Sequence, residues 1–283
     1  MRLDRSRSSS NVEDRRSGGP RLGRGGSIGI GGLILALVAV YFGVDPAVVL
    51  NMVEGTDSSV STPASTVPPD DPQGQFVAKV LGETEDVWSA IFAQQTNGQY
   101  PEPRLVLYRG MTPTACGTGQ AAMGPFYCPA DQRVYLDLAF FDEMQQRLNA
   151  SGDFAQAYVI AHEVGHHVQN ALGTFERYAT ARQQAPAQAN ALSVRMELQA
   201  DCYAGVWAHH AQAERQILEP GDVEEAINAA AAVGDDTLQR RSQGQVVPDS
   251  FTHGSSAQRV RWFQRGLESG QLRECDTFAA ANP

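Results

Sequence analysis

The stretch "YVIAHEVGHHVQNALG", residues Tyr158 to Gly173, places two histidines four residues apart inside an otherwise apolar run. The apolar residues recur at helical spacing, which predicts a helix over about residues 154 to 172. Because residues four apart lie on one helix face, His162 and His166 can direct two imidazole nitrogens at one metal ion. Glu163 would lie beside that ion without binding it, where a carboxylate can take a proton from a bound water. A helix with solvated histidines is the alternative that so short a motif leaves open.

A second stretch, "RMELQAD" from Arg195 to Asp201, can complete a metal site. Zinc held by two histidines needs another protein ligand, and Glu197 and Asp201 also lie four apart on one helix face. One acid can bind the metal while the other accepts the N–H of a ligating histidine and fixes its tautomer. We assign Glu197 as the third ligand and Asp201 as the partner of His162, and the reverse assignment stays open. The apolar neighbours of both acids argue against a solvated helix face.

Other ligand schemes fit the sequence less well. The extended pattern H-E-x-x-H-x-x-G-x-x-H requires a glycine and a third histidine at positions that hold Gln169 and Leu172. His167 faces away from the histidine pair by helical geometry, and His209 and His210 follow the acidic pair by two to three helical turns. We therefore expect these three histidines to be solvated.

Length and charge limit the function classes. The 283 residues, 42% of them apolar, suffice for one sizeable domain with appendages or for two domains. Seven of the 22 basic residues and three of the 32 acidic residues lie in residues 1–26, which leaves 15 basic and 29 acidic residues and a net charge of −14 beyond them. So acidic a body argues against nucleic acid as a partner.

The N-terminal region has the pattern of a signal anchor. Residues 27–44, "SIGIGGLILALVAVYFGV", are 18 residues without a charge and can just span a bilayer. The arginine-rich residues 1–26 predict a cytoplasmic N-terminus by the positive-inside rule, with everything after Val44 outside. A cleaved signal peptide and a buried core helix are the alternatives. Residues 56–75 are mostly small or polar and rich in turn formers, and we interpret residues 45–75 as a flexible linker.

From about Phe76 the pattern becomes globular, and residues 76–283 are predicted to form one domain. A helical pattern comes first, followed by "RLVLYRG" and "RVYLDLAFF", which have the apolar and β-branched density of short strands. This order predicts the α+β class, mostly helical with a small β-sheet and preceded by one transmembrane helix. Further helices are predicted over roughly 139–150, 154–172, 189–213, 220–234 and 255–268.

The four cysteines lie at 116, 128, 202 and 275. An even number in a translocated domain permits two disulfides, and four thiols allow three pairings. We favour Cys116 with Cys128, because a glycine-rich loop between them could close easily, which leaves Cys202 for Cys275. Separate buried thiols are the alternative. A zinc site built from cysteine is not expected, because no C-x-x-C occurs.

Four segments and the arginine-rich signal anchor carry a family resemblance: "HEVGHHVQN", "ELQADCYAGVWA", "GPFYCPADQRVYLD" and "FTHGSSAQRVRWF". With them the chain resembles the bacterial putative neutral zinc metallopeptidases, the YpfJ-like family, over nearly its whole length, most weakly in the linker. The resemblance implies a membrane-tethered zinc peptidase with a zincin-like domain, one Zn²⁺ per chain and a glutamate as third ligand. This agrees with His162, His166 and Glu197 as ligands and Glu163 as general base, and it implies no particular substrate.

Two further features concern substrate. Zinc peptidases with this motif bind substrate as an added β-strand along a sheet edge, and "RVYLD", Arg133 to Asp137, is the candidate edge, with an ordinary structural strand as the alternative. His253, in "FTHGSSAQR", precedes the last predicted helix. We hypothesise that it donates a hydrogen bond to the oxyanion of the tetrahedral intermediate. Capping the helix or bonding to a neighbouring loop is the alternative.

Two function classes therefore remain. One is a zinc endopeptidase that hydrolyses peptide or protein substrates with a zinc-activated water. It would be held at the cytoplasmic membrane by a single span, with its catalytic domain outside. The other is a non-catalytic, zinc-stabilised peptide-binding domain with the same anchor. A scaffold needs no general base, so the presence of Glu163 favours the enzyme.

Overall fold

The computed structural model describes residues 1–16, 69–96, 98–120 and 123–283. The predicted anchor at 27–44 and residues 45–68 of the predicted linker lie outside the described residues, whereas residues 72–75 of that linker are helical. Within those ranges, no helix combines the length and the hydropathy needed to cross a membrane.

The described strands form one mixed sheet and one hairpin. The four-stranded sheet has the order β1-β2-β6-β5, and β3 and β4 pair with each other. β1, β2 and β6 run parallel, whereas β5 runs antiparallel to β6. The strands are β1 Val12–Asp14, β2 Arg104–Tyr108, β3 Met111–Thr114, β4 Gly117–Gln120, β5 Phe126–Cys128 and β6 Arg133–Asp137.

The choice of "RVYLD" as a sheet edge was wrong. That strand is β6, which lies between β2 and β5. Its residues Val134 to Leu136 are all buried, as expected for a strand that is covered on both faces. The edge strand on this side of the sheet is the short β5.

Helices make up most of the domain, so the predicted α+β class with a small sheet is confirmed. The five helices predicted after the strands are present within a few residues of their predicted ends, whereas Thr174–Gln184 and Asp235–Gln243 were not predicted as helices. The described helices are α1 Pro72–Ile91, α2 Ala139–Arg147, α3 Asp153–Ala171, α4 Thr174–Gln184, α5 Ala189–Arg215, α6 Asp222–Ala232, α7 Asp235–Gln243 and α8 Ser256–Ser269.

The N-terminal residues belong to the same body. β1 pairs with β2 in the register Val12 to Leu105, and Val12 is 2% exposed. Ser9 donates a hydrogen bond of 2.6 Å to Glu85, a buried residue of α1. The predicted division, with residues 1–26 as a separate tail and a domain from 76, differs from the structure here, since residues 1–16 complete the sheet.

Glycines allow the helices that carry the site to pack closely. A Cβ at Gly165 of α3 would lie 2.9 Å from the carbonyl oxygen of Ala200 on α5, so glycine permits this crossing. Added Cβ atoms at Gly205 of α5 and Gly266 of α8 would likewise collide with the backbone of the facing helix. The three helices are therefore in near backbone contact, which brings their side chains together at one place.

Both favoured disulfides are formed. Cys116, in the β3–β4 turn, pairs with Cys128 of β5, and Cys202 of α5 pairs with Cys275 near the C-terminus. The first bond ties the hairpin to the edge strand. The second fixes the helix that carries Glu197 to the C-terminal segment.

Candidate metal centre

His162 and His166 of α3 meet Glu197 of α5 at the helix crossing. The Nε2 atom of His162 lies 3.2 Å from one oxygen of Glu197, and Nε2 of His166 lies 3.5 Å from the other. One ligand atom from each of the three residues lies within 4.8 Å of the others. Two imidazole nitrogens and one carboxylate that converge in this way suit a Zn²⁺ ion with an open coordination position.

Asp201 holds His162 from the opposite side. Its Oδ1 atom lies 2.8 Å from Nδ1 of His162 and also accepts a hydrogen bond from the hydroxyl of Tyr158. Since a carboxylate only accepts, Nδ1 donates its proton to Asp201, and Nε2, which faces Glu197, is the nitrogen available to a metal. The structure thus places Asp201 where the sequence assigned it, next to His162 and away from the ligand cluster.

Gln169 does the same for His166, a role that was not predicted. Its side-chain oxygen lies 2.8 Å from Nδ1 of His166. Its amide nitrogen donates to the carbonyl of Met196 at 2.7 Å and to the Gln199 side chain at 3.1 Å. These two donations orient the amide so that its oxygen faces the histidine, which again leaves Nε2 free for a metal.

Arg259 of α8 completes the buried network around Asp201. Its Nε and Nη2 atoms donate to the two oxygens of Asp201, both at 2.8 Å. Burial alone would raise the pKa of Asp201, but the Arg259 guanidinium and His162 outweigh burial and lower the pKa to about 2. Asp201 is therefore ionised at neutral pH. Arg259 was not predicted, because its partner on α5 is 58 residues away in the chain.

Glu163 and Glu197 have opposite pKa shifts. Burial raises the pKa of Glu163, and the neighbouring histidines lower it less than burial raises it. Burial also opposes ionisation of Glu197, but His166 and His162 outweigh this and hold its pKa well below the usual range. Glu197 is thus ionised, as a metal ligand must be, whereas the raised pKa of Glu163 is typical of a carboxyl group that exchanges a proton.

His253 is held at the same cleft by Asp235, the first residue of α7. One oxygen of Asp235 accepts the backbone N–H groups of Thr252, His253 and Gly254 at 2.8, 2.7 and 3.0 Å. Its other oxygen lies 3.3 Å from Nδ1 of His253, and this contact raises the pKa of that imidazole. The N-terminus of α8 is capped by Ser255 and not by His253, whose Nδ1 also lies 3.1 Å from the hydroxyl of Thr252.

These groups face a cleft of about 520 Å³. The three candidate ligands, Glu163, His253 and Arg259 all line it, as do residues 123–127 in and before the edge strand β5. Glu163 is 7% exposed and His162 is 6% exposed, so the reactive groups lie at the bottom of the cleft. An extended chain could reach them along β5.

Of the remaining three helix histidines, His167 is buried, so the expectation that it is solvated was wrong. His167 is 1% exposed and lies between the hydroxyl of Tyr127 and the carbonyl of Pro101, and burial lowers its pKa. It thereby ties the edge strand to α3. His209 and His210 are half-buried and lie 2.8 Å from carbonyl oxygens in and after α8.

Comparison with known proteins gives a family for the chain. The family model described as "Putative neutral zinc metallopeptidase" matches residues 1–278. The Escherichia coli K12 protein named "Uncharacterized protein YpfJ" is 53% identical over 288 residues, which cover 98% of this chain and 99% of the relative. "Uncharacterized protein Rv2575" of Mycobacterium tuberculosis H37Rv is 46% identical over 193 residues, 65% of this chain and 64% of the relative. No solved structure matches the chain.

Proposed function

This chain belongs to the putative neutral zinc metallopeptidase family, and from that premise we propose that it is a zinc-dependent endopeptidase. The observation that carries the proposal is the convergence of His162, His166 and Glu197, with Glu163 buried in the same cleft. We propose that the first three residues hold one zinc ion and that Glu163 is the general base. A non-catalytic zinc scaffold would have no use for a buried carboxylate with a raised pKa at this position.

In the proposed hydrolysis, the zinc ion, Glu163 and His253 have separate roles. When bound, zinc supplies Lewis-acid polarisation of the attacking water and of the scissile carbonyl. Glu163 takes the proton of the attacking water and then delivers it to the leaving nitrogen. A pKa raised toward neutrality suits this double role. His253 donates a hydrogen bond to the oxyanion of the tetrahedral intermediate.

We propose that the substrate lies along β5. Phe126–Cys128 is an edge strand, and residues 124–127 line the cleft that contains the metal ligands. An extended peptide that pairs with such an edge gains main-chain hydrogen bonds that do not depend on its sequence. The disulfide at Cys128 and the contact of His167 with Tyr127 support this edge from behind.

The proposal places the domain outside the cytoplasm. Two disulfides, Cys116–Cys128 and Cys202–Cys275, are typical of proteins in an oxidising compartment. Attachment to the cytoplasmic membrane through residues 27–44 remains a prediction, since those residues lie outside the described part of the chain.

Zinc content and cleavage together test the function. Wild-type protein should contain about one zinc per chain and cleave an unstructured protein such as casein until a chelator is added. Glu163→Gln should keep the zinc and lose cleavage, whereas His162→Ala should lose zinc. As a matched control, Glu268→Gln changes an exposed glutamate of α8 and should leave both properties unchanged.

Two results would contradict the proposal in different ways. Full activity of Glu163→Gln would remove the general base proposed here. Wild-type protein that binds zinc and a peptide but cleaves nothing would instead support the non-catalytic binding domain.

A further inference from the structure

Each charged residue and histidine that lines the cleft already has a partner or a proposed role, so none is available to pair with a charged substrate side chain. Among the described residues that line it, the acidic and basic side chains and the histidines are His162, Glu163, His166, Glu197, His253 and Arg259. The histidines and glutamates belong to the proposed metal and proton-transfer groups. The Nε and Nη2 atoms of Arg259 both donate to Asp201. A charged substrate side chain inside the cleft would therefore lose water without gaining an ionic partner.

The walls on both sides of the metal centre are apolar or aromatic. Phe175 of α4 packs 6.3 Å from the ring of His166 and 6.0 Å from Tyr127, centre to centre, and Tyr178 follows one turn later on the same helix. On the His162 side, Arg259 lies 3.3 Å from His162 and donates to the carbonyl of Val233, which lines the cleft together with Leu238 of α7. An extended chain that crosses the metal centre would thus meet aromatic side chains beside His166 and aliphatic side chains beside His162.

Exposed apolar side chains concentrate at the same cleft. In the described part of the chain, four large hydrophobic residues are exposed: Met111, Met123, Leu238 and Val247, at 48%, 64%, 37% and 43%. Two of the four, Met123 and Leu238, line the cleft. Met123 precedes the edge strand β5, whereas Leu238 lies on α7, so two separate elements contribute the pair. Exposed apolar surface grouped around a groove is typical of a binding site.

We infer that the substrates are extended polypeptide segments with bulky apolar side chains on both sides of the scissile bond. This inference rests on the proposed endopeptidase function and specifies its substrate class. Apolar side chains would cover Met123, Leu238 and the aromatic wall at Phe175 and Tyr178. An acidic or basic side chain at either position is disfavoured, because the cleft offers it no partner.

Matched peptides test the inference on the wild-type enzyme. Three quenched fluorogenic peptides share one sequence except for their central pair, which is Phe-Leu, Asp-Leu or Phe-Lys. We expect kcat/KM to be roughly 10- to 200-fold higher for Phe-Leu than for either charged peptide, the discrimination typical of an apolar pocket. Equal rates for all three peptides would overturn the inference and leave the proposed function standing.

Two pairs of variants locate the effect in the cleft. Leu238→Glu and Met123→Glu place a charge on the walls, and each should lower kcat/KM for Phe-Leu by about tenfold or more, with zinc content unchanged. Val247→Glu and Met111→Glu make the same change at two other exposed apolar residues, which do not line the cleft, and both variants should cleave as the wild type does. Equal losses in all four variants would overturn the assignment of the walls.

Binding separates this inference from the proposed function. If the wild-type protein cleaves none of the peptides, fluorescence anisotropy of the same three sequences measures their affinity for the zinc-loaded chain. Tighter binding of Phe-Leu would support the apolar subsites although the endopeptidase function had failed. Equal affinity for the three peptides would reject the subsites as well.

Discussion

At the scale of single residues, the proposed role of Asp201 is to orient the ligand His162 and not to bind the metal itself. It is fully buried and contacts His162, Tyr158 and Arg259, yet it lies outside the ligand cluster. Asp201→Asn should lower zinc affinity about 10- to 100-fold without abolishing binding, because the amide keeps the shape but removes the charge. Competition with a chromophoric chelator measures this affinity.

The milder change Tyr158→Phe is the matched control for that network. It removes one hydrogen bond to the same carboxylate and should weaken zinc binding less than Asp201→Asn does. If Asp201→Ala loses the metal outright while Glu197→Ala keeps it, the roles of ligand and partner must be exchanged.

His253 should affect turnover without affecting zinc. Its imidazole bonds to Asp235 through Nδ1, and no described group of the protein bonds to Nε2. His253→Ala should lower kcat by roughly 10²- to 10³-fold while zinc content and thermal stability stay nearly unchanged. A variant that unfolds easily yet cleaves normally when folded would assign His253 to the loop alone.

The proposed role of His253 also implies that kcat depends on pH. With Nδ1–H directed at Asp235, Nε2 carries a proton only when the imidazole is charged. The hydrogen bond to Asp235 raises the pKa of His253, so the charged donor persists above the ordinary range of a histidine. We expect kcat to fall as pH rises through that raised pKa, and the residual activity of His253→Ala to lack this alkaline step. An identical alkaline step in both proteins would contradict the donor role.

The residues that sequence reasoning found, and those it missed, differ in how local their geometry is. His162 with His166 and Glu197 with Asp201 are four apart on helices, so spacing alone places each pair on one face. Gln169 lies three residues after His166 and carried the same kind of signal, although it was considered only as a misfit to another motif. Arg259 had no such signal, since its place depends on how α8 crosses α5.

At the scale of elements, the sheet was the hardest part to predict. β1 is the three residues "VED" within an arginine-rich tail, and it pairs with a strand more than 90 residues later. β5 is equally short. Neither is long enough for a periodic pattern. The continuous apolar run of β6 was the stronger signal, but such a run is typical of a central strand and not of an edge.

Strand β1 should contribute measurably to stability. Val12 is buried beside Leu105, so Val12→Asp would bury an unpaired carboxylate and should lower the free energy of unfolding by roughly 2 to 3 kcal/mol. Ser10→Asp introduces the same side chain at an exposed position two residues earlier and should change it by less than about 0.5 kcal/mol. Urea unfolding measures both. Equal stability of the two variants would mean that β1 is not part of the folded domain.

At the scale of the whole molecule, the N-terminal contacts conflict with the predicted topology. A cytoplasmic N-terminus with the domain outside requires residues 1–16 to lie across the membrane from β2. In the structure, Arg7 forms ion pairs with Glu85 and Asp86 of α1, and Arg16 pairs with Asp71. The positive-inside rule counts such arginines only as topological signals. Here they also stabilise the domain, so their number alone does not decide the side.

These contacts predict that residues 1–16 and the domain lie in one compartment, outside the cytoplasm. The four native cysteines are paired, so the single thiols of Ser10→Cys and Gln183→Cys, both at exposed positions, can be labelled selectively. In intact spheroplasts, a membrane-impermeant maleimide should label both variants to the same extent as it does after lysis, which is the control for accessibility. If Gln183→Cys reacts in intact spheroplasts but Ser10→Cys reacts only after lysis, the N-terminus is cytoplasmic.

With a cytoplasmic N-terminus, β1 cannot pair with β2, and buried Glu85 loses Arg7, Ser9 and Asn11 together. Removing these partners from a buried carboxylate is strongly destabilising. A cytoplasmic N-terminus would therefore require α1, which carries Glu85, to pack differently.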